Sequence, residues 1–251
     1  MHVDQQPYRE LYDAMLGGGG EFQADSLTVW IARNSAEAEW LRNLRLRSAP
    51  QNPMAQEELW RLYALSRIIQ LLALSFQTGT ADGSSWSGPG VSQAEFRSFA
   101  LALGLTVVEP QTFSPFDCEI TGVKRTDDRD APIELLGSQW PCLMLGEMLI
   151  CRAGASVAGG ANFIDQTVAA SSTLYWACRR KTRPYQDLSH GWGSNSQWRT
   201  SYRRDYRTAS HVYYNVDGQH DLASETLAPE KDDSLSRQER IELLTHRCFV
   251  V

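Results

Sequence analysis

The chain has 251 residues, of which 42% are hydrophobic and 22% charged, and its net charge is −6. This composition is that of a globular protein of one or two domains, and it excludes a wholly disordered chain. No run of 18 apolar residues and no N-terminal export signal occurs in it. The sequence therefore predicts no membrane association and indicates a cytoplasmic protein of bacterial type.

The cysteine and histidine positions predict neither a disulfide framework nor a metal site. Five cysteines are widely spaced without a CxxC pair, which predicts reduced, mostly buried thiols. Residues towards the C-terminus could be assembled into a metal site, but their spacing matches no standard zinc or iron pattern, so we expect no metal and no cofactor. These residues are His211, Asp217, His220, Asp221, His246 and Cys248.

The first hundred residues predict helices, because apolar side chains recur there at helical spacing. A capping box at Ser92–Glu95 opens one of them, and Gly104 ends it. In the helix predicted at 35–47, glutamates lie near the N-terminal end and arginines near the C-terminal end, as the helix dipole favours. Helices are predicted at 7–16, 35–47, 54–76 and 92–103.

After Gly104 the pattern becomes extended, with apolar runs separated by turn residues. Gly154, Gly159 and Gly160 are interpreted as turn glycines. Strands are predicted at 105–108, 118–124, 142–151 and 167–178, with an earlier one at 27–32.

Together these elements predict an α+β fold. An N-terminal helical layer (1–104) is followed by a mostly antiparallel β-sheet region (105–251), as two subdomains or one continuous domain. A second capping box at Ser236–Glu239 predicts a short C-terminal helix.

The most unusual stretch is residues 179–207, where eight cations and two acids give a charge of +6 in a chain of −6. A basic segment in an acidic protein favours an anionic target, which is either a ligand or an acidic part of the same chain. Seven of the eight cations are arginine, which forks onto carboxylates and phosphates and stacks on aromatic rings.

Residues 198–207 fit both a helix and a strand, and their composition favours a strand that forms a hairpin with 211–216. In either case the aromatic side chains and the arginines Arg199, Arg203 and Arg207 occupy separate faces. Either these residues form a binding surface, or the aromatic side chains are core and the arginines are a solvated face.

A glycine- and amide-rich loop at 190–197 precedes this run and is a typical place for recognition residues. We therefore predict one binding region from the loop and the run that follows it. Its candidate residues are His190, Trp192, Asn195, Gln197, Trp198, Arg199, Tyr202, Arg203, Arg204, Tyr206 and Arg207.

No motif fixes a reaction. Asp187, Ser189 and His190 lie close in sequence, but catalytic triads converge in space and no G-x-S-x-G elbow is present. Tryptophan, tyrosine and arginine dominate protein interface hot spots. The sequence thus favours a non-enzymatic protein-binding module for a partner with an acidic surface, most concretely an inhibitor such as a bacterial immunity or antitoxin protein.

The alternative is an enzyme or binder that acts on a phosphate-bearing or nucleic-acid ligand through the arginine and aromatic segment 179–214. A sequence pI near 5.4 weighs against nucleic acid, since nucleic-acid-binding domains usually have a high pI.

Overall fold

A computed structural model of the chain describes residues 6–18, 22, 25–80, 86–187 and 198–218. Helices come first, and a 3-10 turn at Leu74–Phe76 extends the fourth of them. They are α1 (Gln6–Gly18), α2 (Asp25–Arg33), α3 (Ser35–Arg47), α4 (Gln56–Ala73) and α5 (Gln93–Ala102), with α6 (Gln166–Ser171) later in the chain. The strands are β1 (Thr106–Val108), β2 (Cys118–Arg125), β3 (Glu134–Ser138), β4 (Cys142–Leu145), β5 (Met148–Cys151), β6 (Ala153–Gly159), β7 (Leu174–Tyr175), β8 (Tyr185–Gln186), β9 (Tyr206–Arg207) and β10 (Val212–Tyr213).

The strands form an antiparallel sheet, a mixed sheet and a two-stranded parallel sheet of β7 and β8. The first has the order β1-β4-β5-β9-β10, and each neighbouring pair in it is antiparallel. The second has the order β2-β6-β3, in which β2 and β6 are parallel. Helices followed by a mostly antiparallel sheet confirm the predicted α+β class.

Helix α4 is the central core helix. The stretch Gln56–Phe76 is long and apolar enough to cross a membrane, but 72% of its most apolar window is buried inside the fold. Its Leu65 and Ile68 belong to the same core cluster as Leu145, Ile150 and Tyr206 of the antiparallel sheet. One apolar core therefore joins the predicted helical and β-rich parts, whose division at residue 104 stays a prediction.

The helix predictions at 7–16, 35–47, 54–76 and 92–103 are confirmed, with small changes at their ends. The capping box of α5 forms as predicted: Ser92 N donates to Glu95 Oε2 at 2.8 Å and Glu95 N to Ser92 Oγ at 3.3 Å. Gly104 follows this helix at φ 81°, a left-handed conformation that glycine adopts without strain.

Two strand predictions are wrong. Residues 27–32 belong to α2, where Leu27 and Trp30 lie three positions apart and bury one helical face. Residues 166–171 form α6, because the Asp165 carboxylate caps its first turn and accepts from Thr167 N at 2.8 Å. Only Leu174 and Tyr175 of the predicted strand 167–178 are extended in a sheet.

The interpretation of Gly154 and Gly159 as turn glycines is also wrong, since both lie in the central strand β6. The fully buried indole ring of Trp140 packs directly on Gly154, so a larger residue has no room there. Strand β3 was not predicted, and the prediction at 142–151 divides into β4 and β5 around Gly146. The C-terminal helix predicted from Ser236 lies outside the described residues.

Candidate binding site

The segment 198–207 is neither a helix nor a long strand. Only Tyr206 and Arg207 are extended in a sheet, and they pair with Val212 and Tyr213. This confirms the predicted hairpin, but shortens it. The rest of the segment is held by distant partners: Tyr202 N donates to Leu59 O at 3.1 Å. Local periodicity therefore could not define its conformation.

The aromatic side chains of this segment are core, as one interpretation of the sequence predicted. Trp198 packs edge-on against Tyr12 with ring centres 5.3 Å apart. Tyr206 is fully buried, and its hydroxyl lies 2.8 Å from Ser48 Oγ. The hydroxyl of Tyr202 donates to Leu149 O at 2.7 Å. These residues fasten the segment to the helices and to β5.

The arginines do not form the predicted face. Arg203 is buried beside Asp205, whereas Arg207 reaches Asp117 at 2.6 Å and lies over the Phe116 ring. Arg199 is exposed. The prediction that these three arginines share one face is wrong, because Arg203 and Arg207 bind two different carboxylates and Arg199 lies over the Trp60 ring.

Arg204 is also internal and forks onto Asp217, with Nε and Nη2 at 2.7 and 2.6 Å from the two carboxylate oxygens. An acidic part of the same chain is therefore the target of Arg203, Arg204 and Arg207, one of the two options that the charge pattern left open. These three internal ion pairs balance part of the local charge of +6.

Arg180 and Glu119 form a buried pair in the wall of a polar cavity of about 60 Å³. Arg180 Nε and Nη2 donate to the two Glu119 oxygens at 2.6 and 2.9 Å. Burial alone would lower the pKa of Arg180, but the Glu119 carboxylate raises it above its usual value. The Arg180 guanidinium therefore stays charged at neutral pH.

Asp205 is the second carboxylate of the cavity, and two arginines share it. Arg152 Nη2 lies 2.9 Å from one oxygen and Arg203 Nε 2.9 Å from the other, which also accepts from Asn215 N at 2.8 Å. The three charged side chains are 4–8% exposed. Tyr202 and Arg203 of this cavity are among the residues predicted from the sequence, whereas Glu119, Arg152 and Trp176 are not.

The segment that brings Trp176 into the cavity wall contains two residues in an unusual backbone conformation. Trp176 and Arg179 have φ values of 59° and 52°, a left-handed region that non-glycine residues rarely adopt. Gln70 of α4 holds the turn between them by accepting from Cys178 N at 2.6 Å. The guanidinium of Arg203 lies 5.3 Å from the centre of the Trp176 ring. Trp176 is thus fixed against the charged cluster.

The cavity offers binding groups rather than a nucleophile. Burial raises the pKa of the Cys151 thiol to about 12, so this side chain remains a thiol at neutral pH. Burial also raises the pKa of the Tyr202 hydroxyl well above its ordinary value. Among the described residues, no group of three or more histidine, cysteine, aspartate or glutamate side chains could hold a metal ion.

The four described cysteines should resist alkylation in the native protein. All four are free and buried, and burial raises the pKa of each thiol. We expect iodoacetamide at pH 8 to leave these thiols unmodified in the native protein and to modify five thiols in urea, as counted by mass spectrometry. Rapid native labelling of Cys151 would contradict this prediction. The residues concerned are Cys118, Cys142, Cys151 and Cys178.

A second group of charged and aromatic residues lies on α3, α4 and the start of the 198–207 segment, where Trp40 and Trp60 are partly exposed and Arg199 is exposed. Arg61 lies 4.0 Å from the centre of the half-buried Trp40 ring, and Arg199 lies 5.9 Å from that of Trp60. Arg61 also donates to Glu37 at 2.9 Å. We call these two arginine–tryptophan contacts the stacked surface. Trp40 and Trp60 were not predicted as binding residues, because each occurs in an ordinary amphipathic helix.

The predicted loop residues His190, Trp192, Asn195 and Gln197 lie outside the described residues. Comparisons with protein-family models, curated proteins and solved structures found no match to this chain. The geometry of its own residues is therefore the basis for a functional proposal.

Proposed function

We propose that this protein is a non-enzymatic protein-binding module of the cytoplasm that contacts its partner through the stacked surface. The observation that carries the proposal is the pair of partly exposed tryptophans, Trp40 and Trp60, each covered by an arginine. Tryptophan and arginine are enriched among interface hot spots, and a ring already held by a guanidinium loses little freedom on binding.

Arg199 supports an acidic partner. It is exposed and has no ion pair within the part of the chain that the structure describes, whereas Arg61 is already paired with Glu37. A carboxylate of the partner could therefore reach Arg199 without breaking an internal contact. The most concrete form of this proposal is a stoichiometric inhibitor, such as an immunity or antitoxin protein. Its support is the arginine- and tryptophan-containing stacked surface.

The chemistry of the described residues supports binding rather than catalysis. The four described thiols are kept protonated by burial, and the buried carboxylates Glu119 and Asp205 are occupied by arginines. His211 lies exposed next to the hairpin, where its ring contacts the neighbouring Ser210. None of these groups is arranged as a nucleophile with its base.

A pull-down from lysate of the source cells, with nuclease treatment, tests the proposal. We expect a protein to be retained by the wild type after nuclease treatment, and its affinity to fall by about 2 kcal/mol in Trp60→Ala and in Arg199→Ala. Arg125→Ala is the matched control, because Arg125 is an exposed arginine at the end of β2 on the other sheet.

Equal retention by the wild type, the two surface variants and the control would contradict the stacked surface as the contact. Retained nucleic acid that disappears with nuclease, without a protein partner, would instead support the alternative in which the arginine and aromatic segment 179–214 binds nucleic acid.

A further inference from the structure

We propose that β10 is an interface through which two copies of this chain form a twofold dimer, with the β10 strands of the two copies paired antiparallel in one continuous sheet. The interface shares no residue with the stacked surface, and it does not depend on the protein-binding proposal. Three features of β10 support it: free backbone groups, a lack of charge and a register that is self-complementary.

The backbone of Val212 faces the open edge of the antiparallel sheet. Among the described strands, β10 is the last one in that sheet and has β9 as its only neighbour. Thr208 N donates to His211 O at 2.9 Å at the end of this strand pair, so these two residues are a hydrogen-bonded pair of the ladder. Such pairs alternate with non-bonded pairs along an antiparallel ladder. Val212, the next residue, therefore directs its N–H and C=O away from β9.

Tyr214 has the same orientation. Tyr213 lies opposite Tyr206 of β9, and Asn215 N donates to Asp205 Oδ1 at 2.8 Å. Tyr214 lies between these two residues, so by the same alternation its N–H and C=O also face the open edge. In the part of the chain that the structure describes, no hydrogen bond reaches these outward groups. Free N–H and C=O groups on a sheet edge are a template for another strand.

No charged side chain of the described hairpin protects this edge. Residues 208–216 contain no aspartate, glutamate, lysine or arginine, and Val212 and Tyr213 are 43% and 40% exposed. Charges, prolines and bulges usually keep edge strands from pairing. The other edges of the two larger sheets have them: β1 is followed by a glutamate and a proline, β2 ends in a lysine and an arginine, and β3 begins with a glutamate and contains a bulge. Two copies of β10 can therefore approach without repulsion between like charges.

Open space borders the edge at the place where the second strand would lie. A groove of about 510 Å³ adjoins β10. A strand added at the usual spacing of about 4.8 Å would enter this groove. Because no charged residue lines it, the groove suits an uncharged strand such as β10 itself better than a charged peptide. The lining residues are Pro50, Gln51, Val212, Tyr213, Tyr214 and Val216.

The register of the dimer follows from the two outward residues. With the copies antiparallel and Tyr213 facing its own counterpart, Val212 of each copy lies opposite Tyr214 of the other. Each of these two pairs then exchanges both of its N–H···O bonds, as a hydrogen-bonded pair of an antiparallel ladder does. Aromatic residues beside aromatic or β-branched residues are favourable cross-strand pairs. The arrangement is its own twofold image, as the symmetric interface of a dimer of identical chains requires.

Sedimentation of the purified full chain over a range of concentrations tests the dimer. We expect the mass to rise from that of one chain, 28.2 kDa, towards twice that value. Tyr213→Lys puts like charges opposite each other at the twofold axis, so the dissociation constant should rise about tenfold or more. If this variant does not fold, Val212→Pro, which removes an outward N–H, gives the same comparison. Monomers at every wild-type concentration, or equal dimerisation of the folded variant, would overturn the proposal.

An exchange of charges tests the register. Tyr213→Glu alone should dimerise as poorly as Tyr213→Lys, but an equimolar mixture of the two should form a dimer with one copy of each, because residue 213 of one chain faces residue 213 of the other. A mixture that stays monomeric would contradict this register. Thr106→Lys, at the exposed start of the edge strand β1, is the control and should dimerise as the wild type does. Trp60→Ala, on the stacked surface, should also dimerise normally, so the loss of a protein partner and the loss of the dimer are separable.

Discussion

Replacement of Asp205 by alanine is expected to lower the free energy of unfolding by about 3–5 kcal/mol. The change leaves two buried guanidiniums, those of Arg152 and Arg203, without their shared carboxylate, and it also removes the acceptor of Asn215 N. Each loss leaves a buried polar group without its partner, which costs more than an intact hydrogen bond contributes. Urea unfolding followed by tryptophan fluorescence measures the loss.

Two comparisons make this prediction specific. Glu109→Ala breaks the exposed ion pair with Arg97 and should change stability by about 1 kcal/mol or less. The triple variant Arg152→Met, Arg203→Met, Asp205→Leu removes all three charges together and should recover most of the loss, because apolar residues of similar volume often replace buried ion clusters well. A loss from Asp205→Ala no larger than that from Glu109→Ala would contradict the assigned network.

Substitution of Gly154 by valine is expected to cost about 3 kcal/mol or more. A Cβ at this position would overlap the indole ring of Trp140, lying 2.5 Å from its Cε3 and Cη2 atoms. The ring cannot move easily, because it is fully buried and its Nε1 donates to Arg152 O at 2.8 Å. Overpacking a close-packed core forces backbone or side-chain shifts.

Gly137→Val in the neighbouring strand β3 is the matched control, since a Cβ there meets nothing within 4 Å. The free energy of unfolding of this variant should lie within about 1 kcal/mol of that of the wild type. The two midpoints in urea give the comparison directly. Equal midpoints for the two valine variants would show that Trp140 does not pack on Gly154 as described.

The helices could be predicted from the sequence because their signals are local. The predicted bounds of α3 agree with the structure, and the capping box of α5 forms from four consecutive residues. Strand β6, with the sequence AGASVAG, could not be predicted. Its small residues have low strand propensity, and one of them, Gly154, packs against Trp140, a contact that forms only in the folded protein.

The binding region could be predicted only in part, for a related reason. The concentration of arginine and aromatic residues identified Tyr202 and Arg203, which do line the cavity. Two other charged residues of the cavity, Glu119 and Arg152, are far away in sequence and come together through the register of β2 and β6, in which Cys118 lies opposite Ala153. No local pattern carries that register. Two of the three arginines of the predicted face, Arg203 and Arg207, bind Asp205 and Asp117 of the same chain instead.

The position of β9 in the sheet bears on the order in which the protein folds. Strands β4 and β5 are joined by a tight turn at Gly146 and can pair early. In contrast, Met148 of β5 pairs with Tyr206 of β9, and β6, α6 and a further segment separate these two strands in the sequence. Closing a long loop costs more entropy than closing a short one, so distant pairings form late. Asp205 immediately precedes Tyr206 of β9. We therefore expect its arginine cluster to assemble in the last, slow step of folding, after the hairpin and the helices have formed.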